Sequence, residues 1–360
     1  MTALLGMTLS EIRDIVLALG MPGFAAKQIV QWVYTKRVRS IDEMTDLSLV
    51  NRAKLTAAGY EVGIEPPIDA AVSTDGTIRY LFDSHCRPMG QNAAGDDTPA
   101  IGHGLPVESV YIPDHDRATL CVSSQVGCKM NCCFCQTGKQ GFNGNLTTHR
   151  ILNQIFAIPE SASLTNIVFM GMGEPLDNWT EVSKALEIIT APWGLAWSPK
   201  RVTLSTVGQM QHLPEFLAQS QCHLAISIHT PFEEERSQLM PVQRAYPIAD
   251  VLALLHQYDW SHQRHLTFEY IVFKGLNDTP AHARALVRLL SGLDCKVNLI
   301  RFHAIPGVDL QTSGLQQMER FRDILNNHGL TATIRASRGE DIYAACGMLS
   351  SMKREGKNKI

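Results

Sequence analysis

No apolar run in this 360-residue chain approaches the roughly 18 residues that cross a bilayer. The opening segment, MTALLGMTLSEIRD, has neither a basic leader region nor a small-residue cleavage site, so the expectation is a cytoplasmic protein with no membrane attachment. Excess charge is lacking too. A net charge of -3 offers no global attraction for a polyanion, and any nucleic-acid contact must rest on local basic patches. Without an export signal, the nine cysteines (86, 121, 128, 132, 133, 135, 222, 295 and 346) do not read as a disulfide framework; in a reducing compartment they are ligands, nucleophiles or buried apolar side chains. What is present, 45% hydrophobic and 19% charged residues, suits a folded chain with one large domain and a small one.

Residues 1–65 read as a helical module. Thr8 with Glu11 forms a capping-box signature ahead of Ile12, Ile15, Val16, Leu17 and Leu19, and Gly20 is a stop signal. Further helices are expected over 25–34 and 47–58. Lys27, Lys36, Arg37, Arg39, Arg52 and Lys54 cluster here, offset by acidic residues at 42, 43 and 46. Residues 66–114 form a β-rich connector, with strands at 77–83 and 107–113 around a long Gly-, Pro- and Asn-rich loop at 87–106. His85, Cys86 and His103 lie in or beside that loop without ligand spacing. From 115 to 350, short β-branched runs at 166–171, 201–208, 223–229, 266–273, 296–303 and 330–336 alternate with helical stretches. This pattern predicts parallel strands with crossover helices, an α/β fold of partial-barrel type with its active residues at the strand C-termini. Residues 351–360 form a basic tail.

Four cysteines fall within the eight residues from 128 to 135, which burial preference does not explain. Cys128, Cys132 and Cys135 make Cys-x3-Cys-x2-Cys, with Phe134 before the last. A structural zinc site takes four ligands, usually as two short pairs, and no second pair exists here. Three thiolates instead hold three irons of a 4Fe-4S cube and leave one open, where the amino and carboxylate groups of S-adenosylmethionine (SAM) can chelate. Cys133 is left as a spectator. The turn GMGEP at 171–175, following a strand, can present backbone groups and the Glu174 carboxylate to the methionine ammonium.

The segments RATLCVSSQVGCKMNCCFCQTGKQGFNGNLT, FMGMGEPLDN, STVG, SIH, FEYIVFKGLND and RGEDIYAACG occur in order across roughly residues 107–350. Together they resemble the signatures of the RlmN/Cfr family of radical SAM RNA methyltransferases. The resemblance implies a partial (β/α)6 radical SAM barrel with a small N-terminal helical accessory domain that helps grip RNA. It carries a methylated cysteine onto Cys346, a resolving cysteine onto Cys121, and a proton acceptor onto Glu108. SAM contacts map onto Gly173, Glu174, Ser205, Ser227, Ile228 and His229. Where many family members have Asn-Pro after the sixth strand, this chain has VNLIRFHAIPG, and His303 is carried as a SAM contact in its place. The loop at 87–106 is longer than in the family.

The implied reaction uses two SAM molecules per turnover. Neither C2 nor C8 of adenine is nucleophilic enough to take a methyl cation, so the methyl goes first to the Cys346 sulfur and then, after hydrogen abstraction by a 5'-deoxyadenosyl radical, to the ring carbon. Attack by Cys121 on the Cys346 sulfur releases the base and leaves a transient disulfide. The expected partners are ribosomal RNA (rRNA), transfer RNA (tRNA) and an electron donor such as a flavodoxin or ferredoxin system, the chain acting as a monomer. Arg150, Lys200, Arg201, Lys353, Arg354, Lys357 and Lys359 could extend the RNA surface, and the target base must be unstacked. The preferred target is C2 of an adenosine in large-subunit (23S) rRNA and in tRNA. The alternatives are C8 of the same ribosomal adenosine, and a non-catalytic, metal-stabilised RNA-binding protein.

Overall fold

Thr8 starts the first helix as its spacing predicts: its hydroxyl accepts the Glu11 N–H while the Glu11 carboxylate accepts the Thr8 N–H at 2.7 Å. The computed structural model describes residues 1–86, 104–262 and 264–350. Most of the 87–106 loop, His103 and the tail lysines and arginine therefore lie outside the described residues.

The N-terminal unit runs β1 (Thr2–Ala3), α1 (Leu9–Ala18), α2 (Ala25–Val30), α3 (Leu49–Ala57) and β2 (Tyr60–Glu61), with β1 and β2 paired in parallel to close it. The second expected helix continues past α2 as a π-helical turn, Gln31–Thr35. Within that turn Tyr34 is fully buried; its hydroxyl accepts from Gly6 N at 3.1 Å and donates to Met7 O at 2.5 Å. Its ring packs edge-on against Phe156 and Trp193, joining this unit to the larger one. Much of the basic cluster is committed to the protein itself. Arg37 donates to Ser161, Arg52 to the carbonyls of Leu47 and Asp42, and Lys54 to the carbonyl of Gly20. Lys27, Lys36 and Arg39 remain exposed.

Strands β3 (Asp69–Val72), β4 (Ile78–Asp83) and β5 (Pro106–Asp114) run antiparallel into β6 (Arg117–Cys121). A separate hairpin, β7 (Gln125–Gly127) and β8 (Phe142–Asn145), carries the clustered cysteines and the short helix α4 (Gln136–Lys139) in its loop. Helix and strand then alternate: α5 (Thr148–Phe156), β9 (Asn166–Phe169), α6 (Trp179–Thr190), β10 (Val202–Thr206), α7 (Leu213–Gln219) and β11 (His223–Ser227). The series continues through α8 (Glu233–Leu239), α9 (Ile248–Leu255), β12 (Leu266–Val272), α10 (Pro280–Leu289), β13 (Cys295–Arg301), α11 (Leu315–Asn327) and β14 (Ala332–Ile334).

One ten-stranded sheet results, in the order β14-β13-β12-β11-β10-β9-β6-β5-β4-β3, parallel from β6 through β14. This is the expected α/β partial barrel, six strand–helix units with β14 added beyond them. The connector is not separate from it: Val110 of β5 pairs with Cys121 of β6, so the antiparallel strands extend the same sheet. The central strands are apolar on both faces because helices and the interior cover them; Leu224, Ala225 and Ile226 are all fully buried. Helix α6 turns Val182, Ala185, Leu186, Ile188 and Ile189 onto the sheet. Among the described residues no helix is long and apolar enough to cross a membrane.

Candidate active site

The parallel strands end around a cavity of about 200 Å³. Its lining assembles residues spread from Val110 to Leu349. Cys121 closes β6, Gly173 and Glu174 follow β9, Ser205 lies in β10, Ser227 ends β11 with His229 just beyond, and Glu269 lies in β12. The β7–β8 loop contributes Cys128, Cys132 and Cys135. Cys346 reaches the same cavity because the C-terminal segment folds over that loop. Gln136 N donates to Gly347 O at 2.8 Å, and the Thr137 hydroxyl donates to Leu349 O at 2.7 Å.

The cysteines fall into two kinds. Burial pushes the thiols of Cys128, Cys132 and Cys135 up, Cys128 to about 12, and each thiol's neighbours include another of the three or the carboxylates of Glu174 and Asp177. Thiols in such surroundings ionise only beside a cation, which iron supplies. Among the described residues no three His, Cys, Asp or Glu side chains converge on a single-ion point. Three cysteine thiols line the cavity, which fits a 4Fe-4S centre, with one thiolate on each of three irons, better than the four-ligand set of a structural zinc ion. Cys133 is half-buried and outside the cavity lining, its N–H held by Leu239 O at 3.0 Å. Cys121 is buried, and burial together with the adjacent Cys346 raises its thiol to about 12. Cys346 keeps accessible surface within the cavity although its own thiol is also raised by its surroundings.

Glu174 and His229 are held by the backbone. The Glu174 carboxylate accepts N–H groups of Leu176 at 3.1 Å and Val207 at 3.0 Å, and burial lifts it to about 7. His229 takes a left-handed backbone conformation, φ +59°, braced by Asn277, whose amide donates to His229 O at 2.6 Å. Its Nδ1 accepts the Ile271 N–H at 3.0 Å, so the ring hydrogen must sit on Nε2. Burial pulls its pKa down to about 3, and the ring is a neutral N–H donor at physiological pH.

Comparison with known proteins agrees with this arrangement. The radical SAM superfamily profile matches residues 122–287, and that of the ribosomal RNA large subunit methyltransferase N-terminal domain matches residues 2–60. A probable dual-specificity RNA methyltransferase RlmN of Bacteroides fragilis is 58% identical over 359 residues, covering 99% of this chain and 98% of that one. The chain belongs to the RlmN family of radical SAM RNA methyltransferases. A dual-specificity RNA methyltransferase RlmN of Syntrophus aciditrophicus is 42% identical over 98% of this chain and 97% of its own. The crystal structure of a radical SAM methyltransferase from Sphaerobacter thermophilus superposes with a TM-score of 0.86 at 36% identity, covering 98% of this chain and all of that one. Membership of the RlmN family makes this an RNA methyltransferase that uses SAM and a 4Fe-4S cluster.

Three residues expected at the RlmN site lie outside the cavity lining. The Glu108 carboxylate is ion-paired with Arg79 at 3.2 Å and accepts Ser350 N at 2.9 Å, so it anchors the C-terminal segment. Ile228 is fully buried in the core, its N–H bonded to Glu269 O. His303 bonds the Ser337 hydroxyl at 2.6 Å, with Nδ1 3.4 Å from a Glu340 oxygen, and thus also grips the segment leading to Cys346. Position after the sixth strand does not determine direction: the loop beyond β13 turns this ring toward 337–340. Sequence reasoning missed Glu269, a cavity carboxylate whose signal was a lone charge inside the apolar run LTFEYIV. Among the RNA-surface candidates, Arg150 is taken by Glu65, while Lys200 and Arg201 are exposed.

Proposed function

We propose that this RlmN-family enzyme methylates C2 of an adenosine in 23S rRNA and in tRNA, using two SAM molecules per turnover. The observation that carries this reading is that Cys121 and Cys346 line one cavity with Cys128, Cys132 and Cys135. A cluster alone serves many reactions, whereas a pair of additional thiols at the same cavity suits carbon transfer through sulfur. The dual specificity in the relatives' names supports two RNA classes.

Cys128, Cys132 and Cys135 would hold the cluster, with SAM placed by Gly173, Glu174, Ser205, Ser227 and His229. When bound, the cluster and SAM supply a 5'-deoxyadenosyl radical. The Cys346 thiolate first takes a methyl group from one SAM and then gives up one methyl hydrogen to the radical; its methylene adds to the adenine carbon, and loss of one electron and of the ring proton, with Glu108 as proton acceptor, leaves protein and RNA joined through a methylene bridge. The Cys121 thiolate attacks the Cys346 sulfur, the sulfur–methylene bond breaks with its electron pair on the carbon, which takes up a proton to become the methyl group, and the resulting disulfide must be reduced before another turn. The neutral His229 offers its Nε2–H without competing for a proton. Glu108 is the proposed proton acceptor and also holds Ser350, and through it the Cys346 segment.

Residues 1–65 act as an RNA-gripping accessory unit, 66–114 as a connector, 115–350 as the catalytic core and 351–360 as a basic tail. The chain works as a cytoplasmic monomer, with a flavodoxin or ferredoxin system as donor. Mass spectrometry of digested rRNA and tRNA, from cells with and without the gene, tests the assignment. Gene-dependent 2-methyladenosine is expected in both RNA classes; 8-methyladenosine in its place would refute it. Cys121→Ala protein should purify with RNA covalently attached.

A further inference from the structure

Arg236 is fully buried, yet among the described residues no carboxylate forms an ion pair or hydrogen bond with it. It lies on α8, directly before the loop that lines the cavity through Met240. Its Nη2 donates to Val207 O at 2.9 Å and Ser227 O at 3.0 Å, its Nη1 donates to the Gln243 side chain, and its Nε has no hydrogen-bond partner. Every acceptor is neutral. On the same helix Glu233 acts on the guanidinium only through space from an exposed position, Glu234 is exposed, and Glu235 bonds Thr230 and His282. Removing a guanidinium from water costs several kcal/mol unless something negative offsets it.

The guanidinium instead lies against the cavity wall. Val207 and Ser227, whose carbonyls Arg236 grips, both line the cavity. Cys132 packs with Val207, Leu239 and Met240 in one apolar cluster, and Leu239 O holds the Cys133 N–H.

We propose that Arg236 is the charge-balancing residue of the cluster site, a buried cation behind Cys132 that raises the cluster's reduction potential. The inference rests on the cluster reading above. Reduction adds one negative charge to a group already bearing three thiolates, and a fixed positive charge in a low-dielectric wall favours the reduced form. Arg236 is therefore a positioning and tuning residue, acting on the cluster through space.

The test is redox titration of anaerobically reconstituted protein, followed by electron paramagnetic resonance, with iron content measured in parallel. Two variants remove the net charge in different ways. Arg236→Met deletes it. Gln243→Glu is isosteric and sets a carboxylate against Nη1, neutralising the pair while keeping the fold, since the same oxygen position also accepts Ile248 N. Both should lower the ratio of reduced to oxidised cluster at a fixed potential by about tenfold, equivalent to about 59 mV for one electron. Arg236→Lys, which keeps the charge but loses the fork, should retain the wild-type potential with reduced stability. An unchanged potential in Gln243→Glu, with iron fully loaded, would overturn the proposal and leave Arg236 as a strut between β10 and β11. Failure of the wild type itself to bind iron would instead overturn the cluster reading.

Discussion

Replacing Gly127 by alanine should detach the cysteine loop from its footing. Gly127 precedes Cys128, has φ +79°, and sits at the register irregularity of the β7–β8 hairpin. A Cβ there would lie 1.7 Å from Gly141 O, about 1.5–2 Å inside ordinary contact distance. The atom it strikes is the one that accepts the Cys128 N–H at 3.1 Å, so the clash and the lost bond fall on the same contact. The left-handed backbone costs a side chain about 1–2 kcal/mol, and the broken hydrogen bond adds about 1 kcal/mol. The expected loss is thus about 2–3 kcal/mol, with Cys128 displaced by more than a cluster ligand tolerates. Gly141→Ala is the control: its φ is +76°, but nothing lies within 4 Å of the added methyl. It should lose only about 1–2 kcal/mol and keep the Cys128 bond. Guanidinium unfolding of the iron-free protein gives the stabilities, and iron per chain after reconstitution gives the loading. If Gly127→Ala loads iron like the wild type, or if Gly141→Ala loses it equally, the reasoning is wrong.

Other outcomes follow from the same geometry. The Cys121 thiol, held near 12, is neutral at working pH, and its reactive thiolate fraction grows about tenfold per pH unit below that value. Release of the RNA adduct should therefore speed up as pH rises, with more covalent protein–RNA species trapped on denaturing gels at low pH; pH-independent trapping would contradict this. Glu108→Ala leaves the buried Arg79 charge unpaired and should destabilise by about 3–5 kcal/mol, largely recovered in an Arg79→Met, Glu108→Met double variant measured by chemical denaturation. His303→Ala removes the bond to Ser337 and should raise hydrogen exchange across 337–347 by about 1–2 kcal/mol in local opening, with SAM affinity unchanged. Weakened SAM binding with unaltered exchange would restore His303 to the SAM site.

The fold and the chemistry of the site were legible at different depths. Parallel strands were readable because β11 and β12, covered on both faces, need unbroken apolar runs, and because crossover helices such as α6 must repeat apolar residues on one face. The spacing of Cys128, Cys132 and Cys135 is local and was readable without tertiary information. Cys346 and Cys121 looked like any lone cysteines until their flanking motifs were matched to a family. Arg236 carried no signal: in the run EEERSQL it resembles a solvated base on a charged helix, and only the fold places it on the interior face of α8.

By itself, the sequence determined which residues could bind iron and which segments became strands and helices, since both depend on neighbours within a few positions. Only the tertiary structure decided which way the long-range groups face. The ten-stranded sheet carries Cys121 to the rim, the C-terminal segment folds back to bring Cys346 beside it, and the same fold ties Glu108 and His303 to that segment. Side-chain direction at those positions is set by packing between elements distant in the chain, which no local pattern encodes.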